Sequence, residues 1–314
     1  MVLKLSWGHF INLRDMKKLI FSICALLGAS QAMAQQDAMF THYSFNTLAV
    51  NSGYAGSRDA LTVTGLHRTQ WASFPGAPTT QTLTLHAPVM NEKIGLGLSI
   101  LNDKIGPTKQ TAFYGDFAYK IPVGKGKLAF GLKAGLNMVS NDIKELETAE
   151  GGDLSFSQNV QNELLPNFGF GLYYSTPKYY VGLSTPKLLE RGGAGEKRHY
   201  FFIAGMIFPI NKTGTIKLKP TTFVKLTEAA PLELDLTALF YFHDKYWVGP
   251  MFRSGDALGV LAGLNITDQF SFGYSFDWSY GLKTAKYNNG SHELMLRYDF
   301  VFKEKGRIKS PRYF

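Results

Sequence analysis

The sequence predicts an all-β chain, an outer-membrane antiparallel β-barrel of about fourteen strands, preceded by a short periplasmic or plug segment. Three observations predict it. Apolar and polar residues alternate with a period of two in segments roughly ten residues long. Short, turn-rich connections take turns with long ones. The chain holds 24 Phe, 16 Tyr and 32 Gly, yet no apolar stretch is long enough for a membrane-crossing helix.

Residues 1–34 read as a signal peptide with an upstream extension. Met16 is followed by Lys17 and Lys18, the apolar run Leu19 to Leu27, and Ala32-Met33-Ala34. A basic start, a short apolar run and an A-x-A site are the parts of a secretory leader, and the run is too short to span a bilayer. Cleavage is expected after Ala34; residues 1–15 precede the pattern, and Met16 is an alternative start. Cys24 is the single cysteine and lies in the leader, so the mature chain can hold no disulfide, thiolate nucleophile or cysteine metal site. Lys4, Arg14, Lys17 and Lys18 against Asp15 give the leader three net positive charges, so cleavage lowers the net charge from +9 to +6. That mild basicity comes without an Arg cluster, and nucleic acid is not an expected partner.

Residues 35–58 are neither strand-periodic nor low in complexity. They carry Phe40, Tyr43, Phe45 and Tyr54. Each aromatic left in water forfeits on the order of 1.5 to 3 kcal/mol of burial. This favours a segment that folds back to plug the lumen over a free periplasmic leader.

Residues 59–302 form the expected transmembrane barrel. Leu83, Leu85 and Ala87 oppose Thr82, Thr84 and His86, and Leu232, Leu234, Leu236, Ala238, Phe240 and Phe242 oppose Glu233, Asp235 and Thr237. Phe270, Phe272, Tyr274, Phe276 and Trp278 oppose Ser271, Gly273, Ser275 and Asp277. A soluble sandwich alternates too. These runs, however, exceed the usual five or six residues of soluble strands, and aromatics gather at their ends, as at Tyr119, Tyr179, Tyr180, Tyr246 and Trp247. Such residues are expected as girdles at the headgroups. Strand starts are read near Asp59, Ala77, Lys93, Thr108, Lys127, Leu164, Lys178, Arg198, Thr215, Pro231, Lys245, Asp256, Gln269 and Ser291. An even count puts both ends in the periplasm, with the long connections Asn141 to Glu163, Thr185 to Lys197 and Gly281 to Gly290 outside.

Alternation turns Asp116, Lys120, Lys133, Lys217, Lys219, Glu233, Asp235, Asp277, Glu293, Arg297 and Asp299 into the lumen. Their mixed sign fits a salt-bridged interior better than a selective ion path, which would show one sign. On this register Leu234→Arg should cost roughly 2 to 4 kcal/mol if it lies near the bilayer midplane, and Asp235→Asn should cost little.

No catalytic, cofactor or metal site is expected. Gly95-x-Gly97 and Gly169-x-Gly171 sit inside strands with no helix following, so they read as bare backbone for large lumenal side chains to pack on rather than phosphate loops. His67, His86, His199, His243 and His292 stand singly, without ligand spacing. The Asn141 to Glu163 loop is acidic, with Asp142, Glu145, Glu147, Glu150 and Asp153 against Lys144. Long loops on a rigid scaffold carry recognition, and these five carboxylates are the candidate partner-binding residues. Tyr298-x-Phe300 closes the last strand, and a basic tail follows over residues 303–314.

Several segments together resemble the PorP/SprF family. They are Gln36-Asp37, Phe45-Asn46, Asn51 to Arg58, Arg68-Thr69-Gln70-Trp71, Gly76 to Thr82, Gly95 to Leu98 and Asn102 to Thr108. Leu165 to Gly171, Arg198-His199-Tyr200, Ser254 to Ala257 and Ser291 to Phe300 continue the likeness in order. Thr47, Ser52 and Gly53 depart from it. The resemblance implies a non-enzymatic outer-membrane component of the type IX secretion and gliding machinery. It further implies support for secretion or surface attachment of an adhesin-like cargo with a C-terminal secretion domain, and periplasmic ring proteins as partners besides membrane lipid. The competing expectation from composition is a diffusion porin or small-solute channel.

Overall fold

The computed structural model describes residues 39–90, 92–141, 160–190, 197–228, 230–280, 289–300 and 313–314. The described residues form β1 (Leu61–Thr69), β2 (Thr79–Val89), β3 (Ile94–Ile105), β4 (Thr108–Val123), β5 (Gly126–Asn141), β6 (Val160–Ser175), β7 (Tyr179–Thr185), β8 (His199–Met206) and β9 (Phe208–Pro209). Next come β10 (Ile216–Thr227), β11 (Glu233–Phe242), β12 (Tyr246–Arg253), β13 (Ala257–Asn265), β14 (Phe270–Ser279) and β15 (Ser291–Phe300). Both β8 and β9 pair with β10, so β9 resumes β8 past Ile207 and the barrel has fourteen strands. Each strand pairs antiparallel with its neighbours, and β15 with β1 and β10 with β11 complete the ring. Closure removes every free sheet edge, which is what a sheet needs in lipid.

The strands begin within four residues of the expected positions. The largest difference is β6, which starts at Val160 rather than Leu164 and pairs with β5 across a register shift between Val139 and Asn141. Val160-Gln161-Asn162-Glu163 has no apolar alternation to announce it. β4, β5 and β6 each run 16 residues. A tilted strand needs only about 9 to 11 to cross the hydrocarbon, so this side of the wall rises beyond the bilayer toward the long outer connection.

Alternation sorts the faces. Leu83, Leu98, Phe113, Leu132 and Leu183 point outward and are exposed for lipid, while Thr82, Thr84, His86, Asp116 and Lys133 are buried inside. The aromatic girdle needs correcting at two positions. Tyr179 and Tyr246 face outward, but Tyr180 and Trp247, their immediate neighbours, are 2% exposed and point inward. Period two allows only one residue of an adjacent pair on the lipid face. The periplasmic turn between β11 and β12 is tight, with His243 and Asp244 both at positive φ (53° and 56°).

Candidate functional site: the occupied lumen

The inward charges assemble mainly in the outer half of the barrel, on one arc of its wall. Arg68 of β1 donates to Asp277 of β14 at 2.6 Å and lies 3.4 Å from Glu293 of β15. Arg253 of β12 engages Asp235 of β11 through Nη2 at 2.9 Å and through Nε, and lies 3.7 Å from Asp277. All five side chains are at most 2% exposed. Across the lumen Lys133 pairs with Asp116 at 2.8 Å, and near the periplasmic end Arg58 pairs with Asp299 at 2.8 Å.

Arg68, Arg253 and Arg58 were absent from the expected inward set. The alternation of Thr62, Thr64, Leu66 and Arg68, and of Trp247, Gly249, Met251 and Arg253, carries the signal that would have found the first two. Asp235→Asn should therefore not be silent, because Asp235 is the close partner of the buried Arg253 guanidinium. Removing one member of a buried pair is typically worth about 3 to 5 kcal/mol.

These charged groups also meet a segment from before the barrel. Residues 39–58 enter from Arg58 at the periplasmic end and climb inside the wall through the 3-10 turn Ser52–Tyr54 and the one-turn helix α1 (Thr47–Val50). Phe40, Tyr43, Phe45 and Tyr54 are all buried among inward wall residues. Phe45 stacks on Trp247 at 4.7 Å, Tyr43 stacks on Phe223 at 4.9 Å, and Tyr54 meets Tyr173 edge-on at 5.4 Å.

Polar contacts bind the same segment to strands around the ring. The Glu293 carboxylate accepts from the main-chain N–H of Thr41 at 2.8 Å and of His42 at 2.7 Å, and lies 2.8 Å from His42 Nδ1. Thr41 Oγ1 donates to Asp277 at 2.7 Å. Asn46 donates to Thr82 and accepts from Thr84 on β2. Asn51 donates to the carbonyls of Leu172 on β6 and Leu183 on β7, and Val50 accepts from Ser184. Gly56 donates to His86 and accepts from Lys120.

Two inward glycines make room for this segment. A Cβ on Gly95 would meet the Ala55 carbonyl oxygen at 1.9 Å, and one on Gly131 would meet the Gly53 nitrogen at 2.1 Å. Main chain of residues 53–55 packs on the bare backbone at these two positions, whereas at Gly97 and Gly171 the side chains of Leu48 and Asn51 do. Toward the outer rim a small cavity of about 60 Å³ lies between Phe40 and Val50 and the wall residues Thr82, Asp103 and Tyr114.

Among the described residues no group of three His, Asp or Glu side chains is placed to hold a metal ion. Asp142, Glu145, Glu147, Glu150 and Asp153, residues 1–34 and the tail up to residue 312 lie outside the described residues.

No curated protein matches the sequence. Among solved structures the chain is similar to the outer membrane protein Omp33 of Acinetobacter baumannii, at 11% identity and a TM-score of 0.46 over 77% of this chain and 98% of that one. It is similar also to the CymD monoaromatic hydrocarbon channel (10%, 0.45, over 78% and 90%) and to the KdgM porin (10%, 0.38, over 77% and 100%). Residues 32–298 match the family described as Type IX secretion system membrane protein PorP/SprF. A match over most of the chain, carried by a closed fourteen-stranded barrel, places this protein in the PorP/SprF family of type IX secretion system membrane proteins.

Proposed function

We propose that the protein is a non-enzymatic accessory of type IX secretion and gliding in the outer membrane, which supports the secretion or surface attachment of an adhesin-like partner. In this reading the lumen is not a solute path: residues 39–58 act as a plug. The observation that carries it is the anchoring of that segment to β2, β6, β7, β10, β14 and β15 by hydrogen bonds, with its four aromatics buried. A diffusion porin needs an open, water-filled interior.

Recognition of the cargo then falls to the outer connections. The acidic loop with Asp142, Glu145, Glu147, Glu150 and Asp153 is the foremost candidate, and the connection from Thr185 to Arg198 is the second. Periplasmic ring proteins of the same machinery are the proposed partners on the opposite face. Replacing Glu145 to Asp153 by a Gly/Ser linker should leave the barrel folded, read as heat-modifiable gel mobility, while surface labelling of the cargo falls. Salt should weaken the contact if the carboxylates carry it. Undiminished cargo on those cells would reject this loop as the recognition element.

A further inference from the structure

The chain leaves the barrel at Phe300, and its residues Tyr313 and Phe314 are back inside the periplasmic mouth. They do not lie on a surface there; each meets a fitted set of groups. Tyr313 packs edge-on to Tyr241 at 5.7 Å, and its hydroxyl donates to Asp244 Oδ1 at 2.5 Å. Lys217 donates to the same hydroxyl, lies 5.0 Å over its ring, and donates to Asp244 at 2.7 Å. Burial first, and then the Asp244 carboxylate, raises the Tyr313 phenol above its ordinary pKa, so the hydroxyl keeps its proton to donate. Phe314 packs edge-on to Tyr180 at 4.9 Å, with Lys219 Nζ 5.1 Å over its ring.

The main chain of the pair is held as well. Lys219 donates to the Tyr313 carbonyl at 2.7 Å, and Arg58 donates to the Phe314 oxygen at 3.3 Å. Lys219 is the telling residue. It is 0% exposed, and among the described residues no carboxylate forms an ion pair with it. Its charge is met by the Tyr313 oxygen and by the rings of Phe314 and Phe45, the latter 5.2 Å away. A buried ammonium is expensive without hydrogen bonds. Without the tail the buried Lys219 ammonium would lose the Tyr313 carbonyl that accepts from it and keep only the Phe45 ring. It also ties this site to the lumenal segment, since the same ammonium touches Phe45.

We propose that the periplasmic mouth is a binding site for an aromatic dipeptide, filled in this chain by its own Tyr313 and Phe314. One subsite takes a phenol between Lys217, Asp244 and Tyr241. The second takes a phenyl ring between Lys219 and Tyr180, and Lys219 and Arg58 read the two main-chain oxygens. The site stands independently of the cargo reading, because it involves neither outer loop.

The test uses the full chain in detergent micelles and a water-soluble acetylating ester, with modification read by mass spectrometry at Lys219 and at the exposed Lys245. In the intact chain Lys219 should react about tenfold or more slowly than Lys245, because it is reached only by local opening. Tyr313→Ala with Phe314→Ala should abolish that protection, with gel mobility confirming a folded barrel. Millimolar acetyl-Pro-Arg-Tyr-Phe added to the double variant should restore it, whereas acetyl-Pro-Arg-Ala-Ala should not. Lys219 reactive in the intact chain, Lys219 still protected in the variant, or failure of the peptide to restore protection would each overturn the site.

Discussion

At the scale of single residues, the most consequential group in the lumen is the Glu293 carboxylate. It accepts two main-chain N–H groups from residues 41 and 42, touches His42, and lies beside Arg68. Oxygen atoms shared between a wall strand and the lumenal segment make the segment's seat part of the wall's own charge balance. Asp235 has the purely wall-bound counterpart of this role through Arg253. Asp235→Asn is expected to lower stability by about 3 kcal/mol, the lower end of the range for breaking a buried pair, because Glu233 and Asp277 stay within 3.6 and 3.7 Å of Arg253. Urea unfolding in lipid vesicles measures it. Leu234→Arg should lower stability by no more than about 1 kcal/mol, because the second residue of β11 lies at the outer end of the strand, near the interface rather than the midplane. Gly95→Val should act on the segment rather than the barrel, because its Cβ has no place while the Ala55 carbonyl is present. Trypsin cleavage after Arg58, which is 3% exposed, should then rise about tenfold, the change produced by a local destabilisation near 1.4 kcal/mol.

At the scale of elements, the strands were legible because period-two alternation is local: each turn of the pattern needs only its immediate neighbours. Thus β14 announces itself in Phe270 to Trp278 without reference to any other segment. The lumenal segment was legible only as an excess of aromatics without a period. Its path depends on complementary features spread over the ring, such as bare glycines on β3 and β5 and Thr82 and Thr84 on β2, which no short window contains. Arg68 and Arg253 escaped for a related reason, since a long side chain's partner is set by geometry across the barrel. Tyr180 and Trp247 sit at strand ends, where a girdle is expected, but the face each occupies turns them inward. The seat of Tyr313 and Phe314 leaves no local signature at all, because its walls come from β7, β10 and the β11–β12 turn. As an element, the segment should be separable from the wall. Deleting residues 35–57 should leave heat-modifiable mobility in place while making Glu293 and Asp277 solvent-facing, which amide hydrogen exchange of β14 and β15 would register as faster exchange at their outer ends.

At the scale of the whole molecule, a closed fourteen-stranded ring can enclose either water or protein. What decides between conduit and scaffold is whether the interior is given over to water or to protein. Here buried aromatics, a carboxylate–guanidinium cluster and main chain packed on bare glycine fill it from several sides. The scaffold reading places specificity on the outer connections and anchorage on the periplasmic mouth, with a rigid ring between them. The measurement that bears most directly on this is single-channel recording of the intact protein in planar bilayers, with the 35–57 deletion as its counterpart. The intact protein is expected to give no steady, high-conductance openings, and the deletion to give them. A large, steady conductance from the intact protein would contradict the occupied lumen and return the barrel to the diffusion porins.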